Sequence, residues 1–168
     1  MAKFAANLTM LFTEVPFLDR FEKAHKAGFK AVEYLFPYAF EAEELAEKMQ
    51  EFGFEQALFN MPPGDWDAGE RGFAAIPGRD DEFKASVDTA LMYAKALNCK
   101  KVHAMSGLHD AKFTRQQHVE TFISNIRFAA DKFAEQGIEL MIEPLNSRDV
   151  PNYFVAHQRD VVGLIKLV

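Results

Sequence analysis

The stretch Glu135-Gln-Gly137-Ile-Glu-Leu-Met-Ile-Glu143 decides the fold. A glycine closes a helix because it enters the left-handed turn without steric cost. A short apolar strand follows, and it ends on a carboxylate. The same junction recurs upstream as His25-Lys-Ala-Gly28-Phe-Lys-Ala-Val-Glu33, Gln50-Glu-Phe-Gly53-Phe-Glu-Gln-Ala-Leu-Phe-Asn60 and Lys95-Ala-Leu-Asn98-Cys-Lys-Lys-Val-His103. Each time an apolar residue follows the Gly or Asn, placed to pack back on the helix that has just ended.

The segments before these junctions carry helical period. Phe17, Leu18, Phe21 and Ala24 share one face, as do Phe83, Val87, Ala90, Leu91, Ala94 and Leu97. Phe122, Ile123, Ile126, Ala129, Ala130 and Phe133 repeat the pattern in a longer helix. Asp80 or Asp81 is expected to cap the third helix and Thr114 the fourth. Strands are expected near Phe4–Asn7, Ala31–Leu35, Gln56–Asn60, Lys101–Met105 and Glu139–Leu145, with a last helix from Gln158 to Val168. Strands alternating with helices imply a parallel sheet with right-handed crossovers.

Each strand ends on a residue able to do chemistry: Asn7, Glu33, Asn60, His103 and Glu143. Parallel α/β folds place active sites at strand C-termini, and barrels gather several such ends into one mouth. Neither G-x-G-x-x-G nor G-x-x-x-x-G-K-[ST] occurs, so nucleotide binding loses its usual support. The expected fold is α/β, a (β/α)8 TIM barrel. Such barrels typically need about 250 residues. The 168 residues here are read as a single barrel domain, C-terminally incomplete, with about five βα units. An open sheet edge of this kind favours self-association, so a homo-oligomer is one expectation.

Composition narrows the partners. Nineteen basic against twenty-five acidic residues give a net charge of −6. That balance argues against nucleic acid or an anionic membrane as the main partner. The one cysteine, Cys99, has no internal partner for a disulfide, which suits a reducing cytoplasm, and it reads as a small buried apolar residue. No apolar run reaches the roughly twenty residues that span a bilayer. Met1 to Phe12 lacks the features of a signal peptide and reads as the first strand.

An acid at the end of an apolar strand is costly unless paired or ligated. Glu143 is therefore the leading candidate for a metal ligand and proton carrier, since hard divalent cations prefer carboxylate oxygens. Glu33 suits a substrate hydroxyl or metal-bound water, and His103 suits a carbonyl or hydroxyl. Asn7 and Asn60 complete the set, and each of these four also has a purely structural reading. Asn60 to Arg79 is too long for a plain connection. In it Trp66 and Phe73 read as cover for a site, and Arg71 or Arg79 as a fork for a carboxylate. His25, His109, His118 and His157 show no ligand spacing, and His25 and His118 read as surface residues.

Five stretches together carry a family resemblance. They are Phe4-Ala-Ala-Asn7-Leu-Thr-Met10, Ala31-Val-Glu-Tyr-Leu-Phe-Pro-Tyr38 and Ala57-Leu-Phe-Asn60. The fourth is the long loop, Pro62-Pro-Gly-Asp-Trp66 with Ala68-Gly-Glu-Arg71 and Pro77-Gly-Arg79, and the fifth is Glu143-Pro-Leu-Asn146-Ser-Arg-Asp149. The chain resembles, from end to end, the hydroxypyruvate isomerases and 2-oxo-tetronate isomerases of the xylose-isomerase-like barrel superfamily. The run after Glu143 looks more like the 2-oxo-tetronate branch.

The resemblance implies a metal-assisted isomerase of carbohydrate metabolism acting on a small hydroxy-oxo acid. Hydroxypyruvate would interconvert with tartronate semialdehyde, or 2-oxo-tetronate with its 3-oxo isomer, through an enediolate. Two glutamates would shuttle the proton, Glu143 matching the first and also binding a divalent cation such as Mg2+ or Mn2+. Asn7, Glu33, Asn60, His103 and Arg71 would contact the substrate. The family's second glutamate and remaining metal ligands lie on later strands, so these residues resemble the first two-thirds of a member. The metal site is then incomplete, with weak metal binding and little or no turnover. The competing expectations are an inactive, self-associating barrel fragment and a related sugar epimerase. An apurinic-site endonuclease needs a histidine cluster and a basic face, and the sequence offers neither.

Overall fold

The computed structural model describes residues 2–168. Its strands are β1 (Ala5–Asn7), β2 (Ala31–Glu33), β3 (Glu55–Gln56), β4 (Phe59–Asn60), β5 (Lys101–His103) and β6 (Glu139–Met141). The helices are α1 (Arg20–Lys26), α2 (Ala42–Phe52), α3 (Asp80–Ala96), α4 (Arg115–Ala134) and α5 (Gln158–Ile165). All strand pairs are parallel, in the orders β1-β2-β3 and β4-β5-β6.

The expected third strand is two short ones. Glu55 and Gln56 pair with Ala31 and Val32, whereas Phe59 and Asn60 pair with Val102 and His103. Between them the Gln56 side-chain amide donates to Leu58 C=O at 2.8 Å, drawing off an acceptor at the break. Ala57 N–H still donates to Val32 C=O at 2.9 Å and Asn60 N–H to Leu35 C=O at 2.9 Å, so the two ladders remain joined.

The junction signal holds. Gly28, Gly53, Asn98 and Gly137 all adopt positive φ, between 48° and 88°. The residue after each of them returns to its helix by a backbone bond: Phe29 to Ala24, Phe54 to Met49, Cys99 to Ala94 and Ile138 to Phe133. Helix α3 buries Phe83, Val87, Ala90 and Ala94. Helix α4 buries Phe122, Ile126, Ala129 and Phe133. Each fully buried Phe contributes about 2–3 kcal/mol. Phe17 packs edge-on against Phe21 and Tyr34 and stacks on Phe40 at 5.1 Å, fixing α1 to the sheet. Cys99 is buried, its thiol donates to Lys101 C=O at 3.1 Å, and burial pushes its pKa up to about 11.

Three local expectations need correction. The N-cap of α3 is Arg79, and Asp80 and Asp81 sit inside the first turn, where their charge favours the helix dipole. Strand β6 stops at Met141, because Glu143 N–H is taken by a side chain and Pro144 has none to give. His118 is fully buried, with Nδ1 2.6 Å from Ala75 C=O and Nε2 accepting from Asp110 N–H at 3.2 Å. The loops at Ala75 and Asp110 cover that face of the helix and keep it from solvent. No helix among the described residues is long and apolar enough to cross a membrane.

Thr114 caps α4 with a full capping box, taking Gln117 N–H on its hydroxyl while Gln117 takes Thr114 N–H. Thr114→Ala should destabilise the chain by about 1 kcal/mol, read as a lower denaturant midpoint at unchanged m-value.

Candidate active site

Strand register brings the site together. Asn7 lies opposite Glu33, and Asn60 opposite His103. Both in-register pairs touch through their side chains. Asn7 Nδ2 donates to Glu33 Oε1 at 3.0 Å, and His103 Nδ1 lies 3.0 Å from Asn60 Oδ1. Thr9 N–H donates to Asn7 Oδ1 at 3.0 Å, which fixes that amide's orientation and aims its NH2 at Glu33.

The His103 tautomer follows from its neighbours. Glu143 N–H donates to Nε2 at 3.2 Å, so Nε2 is the acceptor and Nδ1 carries the proton given to Asn60. Burial lowers the His103 pKa to about 4, and the ring is 2% exposed. At neutral pH the ring is uncharged. The 3.9 Å approach of Nδ1 to Glu143 Oε2 is therefore not an ion pair. With both nitrogens engaged inside the protein, His103 orients Asn60 and the backbone that carries Glu143.

Asn7, Glu33, Asn60, His103 and Glu143 all line one cavity of about 550 Å3. Glu143 sits two residues beyond β6 with its side chain 63% exposed, open to whatever enters. Its pKa is raised, first by partial burial and then by the charge of Glu33 across the cavity. Trp66, Leu35, Met105, Ile142 and Gln158 supply further walls. No lysine or arginine lines the cavity. Spacing gave no warning of Gln158, which arrives because α5 begins at the mouth.

Arg71 is not on this cavity. It lies beside a second one, also about 550 Å3, with its guanidinium 3.8 Å from the centre of the Trp66 ring. Arg79 forms the expected carboxylate fork, but with the chain's own Glu70, and it also holds Glu82. The long loop is pinned and is no free lid. Glu70 accepts Asp65 N–H at 2.7 Å, and Gly72 N–H donates to Pro63 C=O at 2.7 Å. A β-carbon at Gly72, where φ is +88°, would collide with the Met105 backbone.

A family model described as a xylose isomerase-like TIM barrel matches residues 21–168. The chain belongs to that family. It is 51% identical over 168 residues to a 2-oxo-tetronate isomerase of Pectobacterium atrosepticum, covering all of this chain and 64% of the relative. It is 44% identical over 165 residues to a hydroxypyruvate isomerase of Escherichia coli, covering 98% and 64%. A solved Brucella melitensis structure described as an AP endonuclease of family 2 superposes with a TM-score of 0.97. The two are 55% identical over 99% of this chain and 64% of that one. The chain thus spans just under two-thirds of the length of these relatives.

A divalent cation needs more oxygens than this chain gathers. Glu143 offers one open carboxylate, Glu33 is bonded to Asn7, and both His103 nitrogens are occupied. No group of three or more His, Cys, Asp or Glu able to hold a metal ion exists among the described residues. By themselves they do not form a metal site.

The low His103 pKa has a consequence for stability. Its folded value, about 4, lies below the ordinary 6.5, so its contribution is full above pH 6.5 and is lost as pH falls towards 4. The loss should be of the order of 3 kcal/mol. His103→Gln should be less stable at pH 7 but show a flatter decline between pH 6.5 and 4 in urea titrations.

Proposed function

We propose that this site performs the proton-abstraction half of an isomerisation of a small hydroxy-oxo acid, hydroxypyruvate or 2-oxo-tetronate. The observation that carries the reading is Glu143: an open carboxylate of raised pKa, its backbone fastened to a neutral histidine, in a cavity with a second acid. The 2-oxo-tetronate and hydroxypyruvate isomerases that match over nearly the whole chain support it.

In the proposed reaction Glu143 removes a proton from the carbon beside the ketone. For hydroxypyruvate that is C3. The C–H electron pair becomes the C2–C3 double bond and the carbonyl electrons move onto O2, giving an enediolate. A proton delivered to C2, with the O3 proton passing to O2, completes tartronate semialdehyde. A raised carboxylate pKa suits the first step, because a base works best when its pKa approaches the operating pH. Asn7 holds Glu33 with one oxygen free for a substrate hydroxyl. His103, being neutral and internally bonded, keeps the Glu143 backbone in place and gives up no proton.

The resemblance implies a second glutamate that would deliver the proton to C2, and that group, with the divalent cation and its other ligands, would lie on later strands. Abstraction and return to the same carbon need only Glu143. For residues 1–168 we therefore expect exchange without isomerisation. Hydroxypyruvate in deuterium oxide should exchange hydrogen at C3 above the buffer rate, with little tartronate semialdehyde formed, as read by proton NMR. Glu143→Gln should lower the exchange at least 100-fold. Exchange no faster than buffer, or unchanged in that variant, would sink the role of Glu143.

A further inference from the structure

Trp66 is the chain's only tryptophan, and it lines the cavity that holds Glu143. Its ring is gripped from two sides. The Phe36 ring meets it at 4.9 Å with the planes inclined by 60°, and the Arg71 guanidinium lies 3.8 Å from its centre. Arg71 is itself fixed, since Nη1 donates to Trp66 C=O at 3.1 Å and to Glu70 C=O at 2.6 Å. Glu70 is clamped by Arg79 and by Asp65 N–H. The loop's far end is anchored by the Gly72 bridge to Ser106. A cation over an indole face is attracted by the ring's quadrupole, which favours one ring orientation when the backbone is already fixed.

We propose that Trp66 is a rigid wall that limits the length of acid the cavity accepts, and that Arg71 is the positioning residue that holds it. Resting on the oxo-acid reading above, the size role follows from where the chemistry must sit. The reacting carbon has to lie against Glu143 at hydrogen-bond distance. The rest of the molecule then extends across the cavity, of which Trp66 forms one wall. The stack excludes Arg71 from direct substrate contact as long as the ring stays in place. The site gains discrimination by chain length and no cation, in keeping with a lining free of lysine and arginine.

The sole tryptophan makes the first half testable without any ligand. Arg71→Ala should at least double acrylamide quenching of Trp66 and lower its fluorescence anisotropy, with Arg71→Lys intermediate and both variants melting cooperatively. Unchanged quenching in Arg71→Ala would overturn the clamp. The second half is read by calorimetric titration with 2-oxo-tetronate and a six-carbon 2-oxo acid. The wild-type chain should favour the four-carbon acid, and Trp66→Ala and Arg71→Ala should each reduce that preference, at least tenfold for Trp66→Ala. Loss of affinity for both acids in equal measure would overturn the size role. If the wild-type chain binds neither acid, the oxo-acid reading and the size role fall together, and the quenching result still decides the clamp.

Discussion

Register is the constraint on which this structure depends. In a strand, side chains alternate faces with period two, so a slip of one residue would turn every strand-end polar group away from the cavity. The observed pairing sets Asn7 against Glu33 and Asn60 against His103, and both neighbours convert alignment into a hydrogen bond. Opposite His103 stands Met141, which places Glu143 two residues further on and near enough for its N–H to reach the imidazole. The cavity is the geometric result of those three alignments.

Helix packing enforces the alignments. Each of α1 to α4 closes on a positive-φ residue, and all four junctions lay the next residue back on the helix before the strand begins. The phase of each strand is thereby set at its start. The buried faces of α3 and α4 then hold that phase. Short strands are sufficient here because the helices, more than the ladder bonds, fix where each one begins.

The four junctions and the strand-end polar residues were legible because they follow local rules: a helix stop, an apolar run and a polar residue at its end. The capping box at Thr114 was legible for the same reason. What escaped depended on contacts distant in sequence. The split of the third strand arises from two neighbours 24 and 43 residues away, Ala31↔Glu55 and Asn60↔His103. His118 looked exposed on its helix, yet the loop at Asp110 and the carbonyl of Ala75 close over it. Arg71 carried the right chemistry for a carboxylate, but the fold turned it onto Trp66. Periodicity finds the face of a helix or strand, whereas the direction of a loop side chain is decided by partners that periodicity does not register.

The break between Gln56 and Phe59 has a mechanical meaning. Asn7 and Glu33 ride on one ladder, while Asn60, His103 and the Glu143 segment ride on the other, and the two meet at a seam carried by Ala57 and Leu58. Glu143 owes part of its proton affinity to Glu33 on the opposite side of that seam. Any widening of the seam relaxes the repulsion, and any narrowing strengthens it. The two carboxylates thus sit on separate ladders, and the spacing of those ladders at the seam sets how far apart their charges stand.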